Sequence, residues 1–173
     1  MDMKKNKKMA AALALVIVTA LTAMAMSGCS SENSKASCRD ILDGCKKIAP
    51  EGSFDTLVSY GEDLYDDSFD NLYGIQFKDV SDGAILYTES GGLADEISIV
   101  CMKDNSDVQV AKQKLQERIE ARRKTFSGYK PEEVYKLDNA SVIVQGNYAA
   151  LIISDDNESF ESEIRRIISE GAE

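Results

Sequence analysis

An uncharged run from Met9 to Gly28, followed at once by Cys29, decides how much of this 173-residue chain is left to fold. Ahead of it stand Lys4, Lys5, Lys7 and Lys8 against one acid, Asp2. A basic stretch before an apolar one is the pattern of an export signal. Met26-Ser27-Gly28-Cys29 has the order of a lipobox, an apolar residue, two small ones and a cysteine, with Met where Leu is usual. This predicts cleavage ahead of Cys29 and a diacylglyceryl group on its thiol. Two other readings compete. The uncharged run reaches the roughly 20 residues that span a bilayer core, and Ala23-Met24-Ala25 fits an ordinary A-x-A cleavage site. The polar run Ser30 to Ser37, directly after Cys29, favours the lipoprotein. With coil statistics those eight residues span about 16 Å, which sets a folded domain close to the outer face of the cell membrane. The chain thus divides into a leader at 1–28, a lipidated cysteine with polar linker at 29–36, and one domain at 37–173.

Without the leader 145 residues remain, the size of one domain. The leader carries four of the 20 basic residues and one of the 30 acidic ones, so the remainder has a formal charge of −13. Such a surface repels nucleic acid at long range, and a nucleic-acid role is not expected. Histidine is absent, which removes Ser-His-Asp and Cys-His nucleophile pairs and His-containing zinc sites. Chemistry by carboxylates alone survives this cut. Cys38 and Cys45 are seven apart in a helical segment, about 10.5 Å along its axis, too far for a mutual disulfide. Cys101 lies among apolar strand residues. The three read as small buried hydrophobes, and a Cys101 bridge to either of the others stays open.

Ser37 to Ala49 reads as a helix, with Cys38, Ile41, Leu42, Cys45 and Ile48 on one face and a capping-box-like Ser37/Asp40 start. Asp55 to Tyr73 reads as a second helical region whose stripe is Leu57, Tyr60, Leu64, Ser68 and Leu72, closed by Gly74; the like charges of Glu62, Asp66 and Asp70 at i,i+4 spacing favour a break near Gly61 or in Asp66-Asp67-Ser68. Asp82-Gly83 reads as a turn, and Ala84–Glu89 and Asp95–Lys103 as a hairpin. In the second of these strands Ile97, Ile99 and Cys101 alternate with Glu96, Ser98, Val100 and Met102, which predicts burial mainly on one face. Asp107 to Phe126 is the clearest helix, with Val108, Ala111, Leu115, Ile119 and Phe126 as its stripe. Val134–Leu137 reads as a short strand. Ser141–Gln145 and Tyr148–Ser154 read as strands joined by Gly146-Asn147 in a type II′ turn, and Glu158–Ser169 as a last helix. The order predicts an α+β, two-layer single domain, an antiparallel or mixed sheet of four to five strands covered by helices.

Several short pieces recur in a known order: Asp40-Ile41-Leu42, Leu72-Tyr73-Gly74-Ile75, Asp95-Glu96-Ile97 leading to Lys103-Asp104, and Gly146-Asn147-Tyr148 before Leu151-Ile152-Ile153-Ser154-Asp155. In this the chain resembles a family of lipoproteins of low-GC Gram-positive bacteria, Clostridia and their relatives, known only as a domain of unknown function. The resemblance covers nearly all of the mature chain and implies no catalytic residues.

Three clusters could serve a ligand. Glu62, Asp63, Asp66, Asp67 and Asp70 are hard oxygen donors of the kind Ca²⁺ takes, without the EF-hand spacing; a solvated acidic face is the blander account. Asp155, Asp156 and Glu158 stand where acids complement a helix N-terminus. Lys112, Lys114, Arg118, Arg122, Arg123 and Lys124 make a basic patch on an acidic chain. Of these, Lys114, Arg118, Arg122 and Arg123 are the candidate contacts for a polyanion or a partner, held near headgroups or wall polymer by the lipid. Against this, cations are expected near a helix C-terminus. No cofactor motif or phosphate loop is present in the sequence. The expectation is a non-enzymatic accessory or binding lipoprotein, attached to the membrane through lipid on Cys29, whose partner is an envelope protein or a surface polymer. The alternative is a small solute-binding or carboxylate-dependent hydrolytic domain.

Overall fold

The computed structural model describes residues 36–171; the leader and Cys29 lie outside them. Ser37 opens α1 (Cys38–Ile48) by accepting the Asp40 amide on its hydroxyl at 3.1 Å, the expected cap. Cys38, Ile41, Leu42 and Cys45 are buried as their spacing predicts, while Ile48 stays exposed at the helix end.

The next segment is broken at Gly61, one of the two places expected, but the part ahead of the break is not helical. Residues at the start of the expected second helix instead form β1 (Thr56–Ser59), and only after Gly61 does α2 (Asp63–Tyr73) begin. Its buried stripe is Tyr65, Phe69 and Tyr73, whereas Leu64 and Leu72 remain exposed. The rings pack in series, with centroids 4.8 Å and 4.9 Å apart. Three aromatic rings bury more apolar surface than two leucines and a serine, and this decides which face turns inward.

β2 (Val80–Tyr87) runs straight through Asp82-Gly83, expected as a turn; the register shifts between Val80 and Asp82, so the irregularity is a bulge inside the strand. β3 (Glu96–Met102) follows, then α3 (Val108–Tyr129), which buries Val108, Ala111, Leu115, Ile119 and Phe126 as its pattern predicts. After a 3₁₀ turn at Pro131–Glu133 comes α4 (Val134–Asp138), a helix where a short strand was expected. Pro131 at the first position of that turn, with two acids behind it, is a helix-start signal. β4 (Ser141–Gln145) and β5 (Tyr148–Ile153) form the expected hairpin. Gly146 has φ +56° and Asn147 a negative φ, as a type II′ turn requires. α5 (Asn157–Glu170) closes the fold.

The five strands pair antiparallel in the order β1-β2-β3-β5-β4, so β3 is central. The α+β class and the antiparallel sheet are as predicted. The layering is not. Ile97, Ile99 and Cys101 pack with α1 and α5, while Val100 and Met102 pack with α2 and α3 on the opposite face. Every residue of β3 is buried, and helices cover both faces, which makes three layers. The face expected to meet solvent is covered because its polar residues, Glu96 and Ser98, find partners on the helices above them.

The sheet has two distinguishable ends. At one, the Tyr148 hydroxyl donates to the Ala36 carbonyl at 2.7 Å and Gly171 packs on Ala36. At the other, Pro50 and Phe54 stand beside Asp95 and Asp155. The 11 residues of α1 connect them, over about 16 Å.

Candidate functional site

The polar residues that lie farthest from water converge where β3 begins. Glu96 is 1% exposed. Its carboxylate accepts from Arg118 Nη2 at 2.9 Å and Nε at 3.3 Å, and from the Tyr73 hydroxyl at 2.7 Å. Arg122 Nη1 lies 3.1 Å from the same carboxylate, and Ser98 Oγ 3.2 Å. Each element brings its residue for a local reason. Arg118 and Arg122 are four apart on α3, so they lie one above the other beside the apolar stripe. Tyr73 ends the aromatic row of α2. Glu96 and Ser98 are two apart on β3 and share a face. The guanidinium groups also sit over rings, Arg118 5.4 Å from the Tyr73 centroid and Arg122 5.1 Å from that of Phe126.

Two cations on one carboxylate settle its protonation. Burial alone would raise the Glu96 pKa, but the facing Arg118 and Arg122 outweigh it and hold the carboxyl below the usual range. Burial likewise works to lower the Arg118 pKa, and Glu96 outweighs that and raises it. Tyr73 is pushed well up, by burial first and then by the Glu96 charge. This hydroxyl is a fixed donor.

A second ionic group adjoins the first. Lys136, on α4, places Nζ 2.7 Å from Asp95, 3.2 Å from Glu133 and 3.5 Å from Asp155. Tyr135 donates to Asp155. Burial opposes the Lys136 charge, yet Asp95 and Glu133 outweigh it and raise the pKa. Asp95 is shifted up by burial, against the pull of Lys136. Ala94 joins the groups through its backbone: its N–H donates to Glu133 at 2.9 Å and its carbonyl accepts from Arg122 at 3.0 Å. One ionic layer therefore crosses the end of the sheet from Tyr73 to Asp155. The cleft on which Asp95 and Asp155 open has a volume of about 30 Å³, room for a water molecule.

The four basic residues singled out from the sequence do not form an open patch. Arg118 and Arg122 are turned inward onto Glu96. Arg123 pairs with Glu120 at 2.5 Å and Asp138 at 2.8 Å and donates to the Leu137 carbonyl. Lys114 pairs with Glu117 at 2.8 Å. In the acidic cluster, Glu62 is occupied by Arg39 and the Ser59 amide, and the side chain of Asp67 lies outside the described residues. Among the described residues no group of three acidic or cysteine side chains converges on a metal position. Asp156 caps α5 by accepting the Ser159 amide at 3.2 Å, the structural role expected there. Sequence reasoning missed the site itself. Its available signal was Arg118 and Arg122 at helical spacing beside the buried stripe, facing a strand that begins Asp95-Glu96.

Among the described residues no helix is long and apolar enough to cross a membrane. No curated protein and no solved structure matches the chain. A family model does match, over residues 60–154, which takes in α2 through β5 and every residue of the Glu96 network. The match spans more than half of the sequence, and the chain belongs to the DUF4358 family, a domain of unknown function.

Proposed function

We propose that this protein is a membrane-anchored, extracytoplasmic lipoprotein whose domain is a non-enzymatic binding module, held by lipid on Cys29 and facing an envelope protein or a surface polymer. The observation that carries this reading is the position of Ala36. The polar linker joins the fold at the Ala36 end of the sheet, and the ionic layer of Asp95, Lys136 and Asp155 lies at the other. A lipid on Cys29 therefore turns the ionic end away from the bilayer and toward the envelope. The closed character of that layer supports binding over chemistry. Its carboxylates are engaged by Lys136, Arg118 and Arg122, and the adjoining cleft is too small for a solute. Exposed Tyr135 and Tyr129 stand at this end, and amphipathic rings of this kind are enriched at protein interfaces.

The test is photo-crosslinking in cells, with a benzophenone amino acid replacing Tyr129 or Tyr135 at the far end, or Asn147 at the Ala36 end. A discrete adduct from the tyrosine positions and none from Asn147 is the expected result. Adducts from Asn147 alone, or none from either end, would contradict the orientation.

A further inference from the structure

Asp82, Cys101 and Tyr148 are register partners on β2, β3 and β5. Directly opposed residues send their side chains to the same face of a sheet. The two outer members reach one short segment: Asp82 Oδ2 accepts the Cys38 amide at 2.6 Å, and Tyr148 donates to the Ala36 carbonyl at 2.7 Å. Cys101, between them, lies beneath residues 36–38. Cys38 is 0% exposed and Cys101 2%, and both belong to the apolar layer under α1 and α5. Burial first, and then the neighbouring Asp82 and Cys101, push the Cys38 thiol pKa up. Cys45, two turns along α1, faces Glu163 of α5 instead. All three are thiols in this structure.

We propose that Cys38 and Cys101 are joined by a disulfide in the exported protein, which fastens the first residue of α1 to the central strand nine residues after Cys29. For its oxidising compartment this rests on the function proposed above. The bond forms while the chain folds, before both sulfurs are enclosed. One thiolate attacks the disulfide of an exported thiol oxidoreductase and gives a mixed disulfide. The second thiolate displaces the oxidant, which leaves as a dithiol carrying the two electrons and, in balance, the two protons of the cysteines. In a chain that folds before it is oxidised, burial holds the Cys38 thiol protonated and unreactive. The bond would close a loop of more than 60 residues and pass any pull on the lipid directly to β3.

The test uses the full chain extracted from membranes in detergent, alkylated without reduction and digested, with the lipid on Cys29 read from the same digest. The expected result is a linked Cys38–Cys101 peptide with Cys45 alkylated. Cys45→Ser should keep the link, Cys38→Ser should abolish it, and reduction should lower the Tm by roughly 10 °C. Alkylated Cys38 and Cys101 in chains that carry the lipid would overturn the disulfide and leave the anchored reading intact. If the lipid is absent, that counts against the anchored reading, and refolding of the same full chain in mixed oxidised and reduced glutathione decides the pairing. Preferential Cys38–Cys101 linkage supports it; pairing through Cys45 overturns it.

Discussion

Arg118 holds Glu96 through two nitrogens, at 2.9 Å and 3.3 Å, across the face of β3 that the alternation of the strand assigns to solvent. Glu96→Gln leaves both arginines without their shared counter-charge in a buried setting and should cost about 3–5 kcal/mol. Arg118→Ala should cost about 3 kcal/mol and Arg122→Ala somewhat less, since either leaves one cation on Glu96. Arg123→Ala, whose pairs lie at the surface, should cost less than about 1 kcal/mol. Urea unfolding of the four variants checks the order. An Arg123 effect equal to that of Arg118 would contradict it.

The pH dependence follows from the same pairs. Glu96 has a folded pKa below its unfolded value, so its contribution is complete above the ordinary glutamate range and is lost as pH falls through the folded pKa. Lys136 has a raised folded pKa, so its contribution is complete below the ordinary lysine range and is lost as pH rises through the folded value. Asp95, raised, works against the acid loss, because protonating it relieves the folded state first. Glu96→Gln should flatten the acid limb of stability against pH, and Lys136→Met the alkaline limb. Unfolding midpoints from pH 3 to 12 follow the acid limb and the onset of the alkaline one. An unchanged acid limb in Glu96→Gln would count against the network.

Gly83 faces the ring of Tyr65, and a Cβ there would overlap the hydroxyl. Gly83→Ala should destabilise by about 1–3 kcal/mol through overpacking. The Tyr65 hydroxyl is buried with no hydrogen-bond partner among the described residues. Tyr65→Phe should therefore be neutral or stabilising by about 1 kcal/mol. Thermal unfolding of the two single variants reads these opposite signs.

The parts of the fold legible in the sequence were those whose burial is one-sided and periodic. The stripes of α1 and α3 and the Gly146-Asn147 hairpin needed only spacing and turn chemistry. β1 was hidden because four residues ahead of Gly61 carry too little alternation to separate from the helix that follows. The three layers were hidden because Glu96 and Ser98 read as solvent-facing until Arg118, Arg122 and Tyr73 are brought over them, and these partners are distant in sequence. For the same reason the candidate site was misread. Arg118 and Arg122 looked like two members of one basic patch with Lys114 and Arg123, and only tertiary contact separates the inward pair from the outward one.

That separation gives a further prediction. Lys114→Glu with Arg123→Glu changes only surface pairs and should shift stability by about 1–2 kcal/mol or less. Association of the domain with anionic vesicles or wall polymer, followed by co-sedimentation, should be unchanged. A strong loss of association without loss of fold would restore the basic residues of α3 as a contact surface.

The anchored reading is tested most directly by the intact mass of the protein extracted from cell membranes. The expected mass is that of a chain that begins at Cys29, lacks 1–28 and carries a diacylglyceryl group on that cysteine. A chain that retains Met1, or one with an unmodified Cys29, would contradict it.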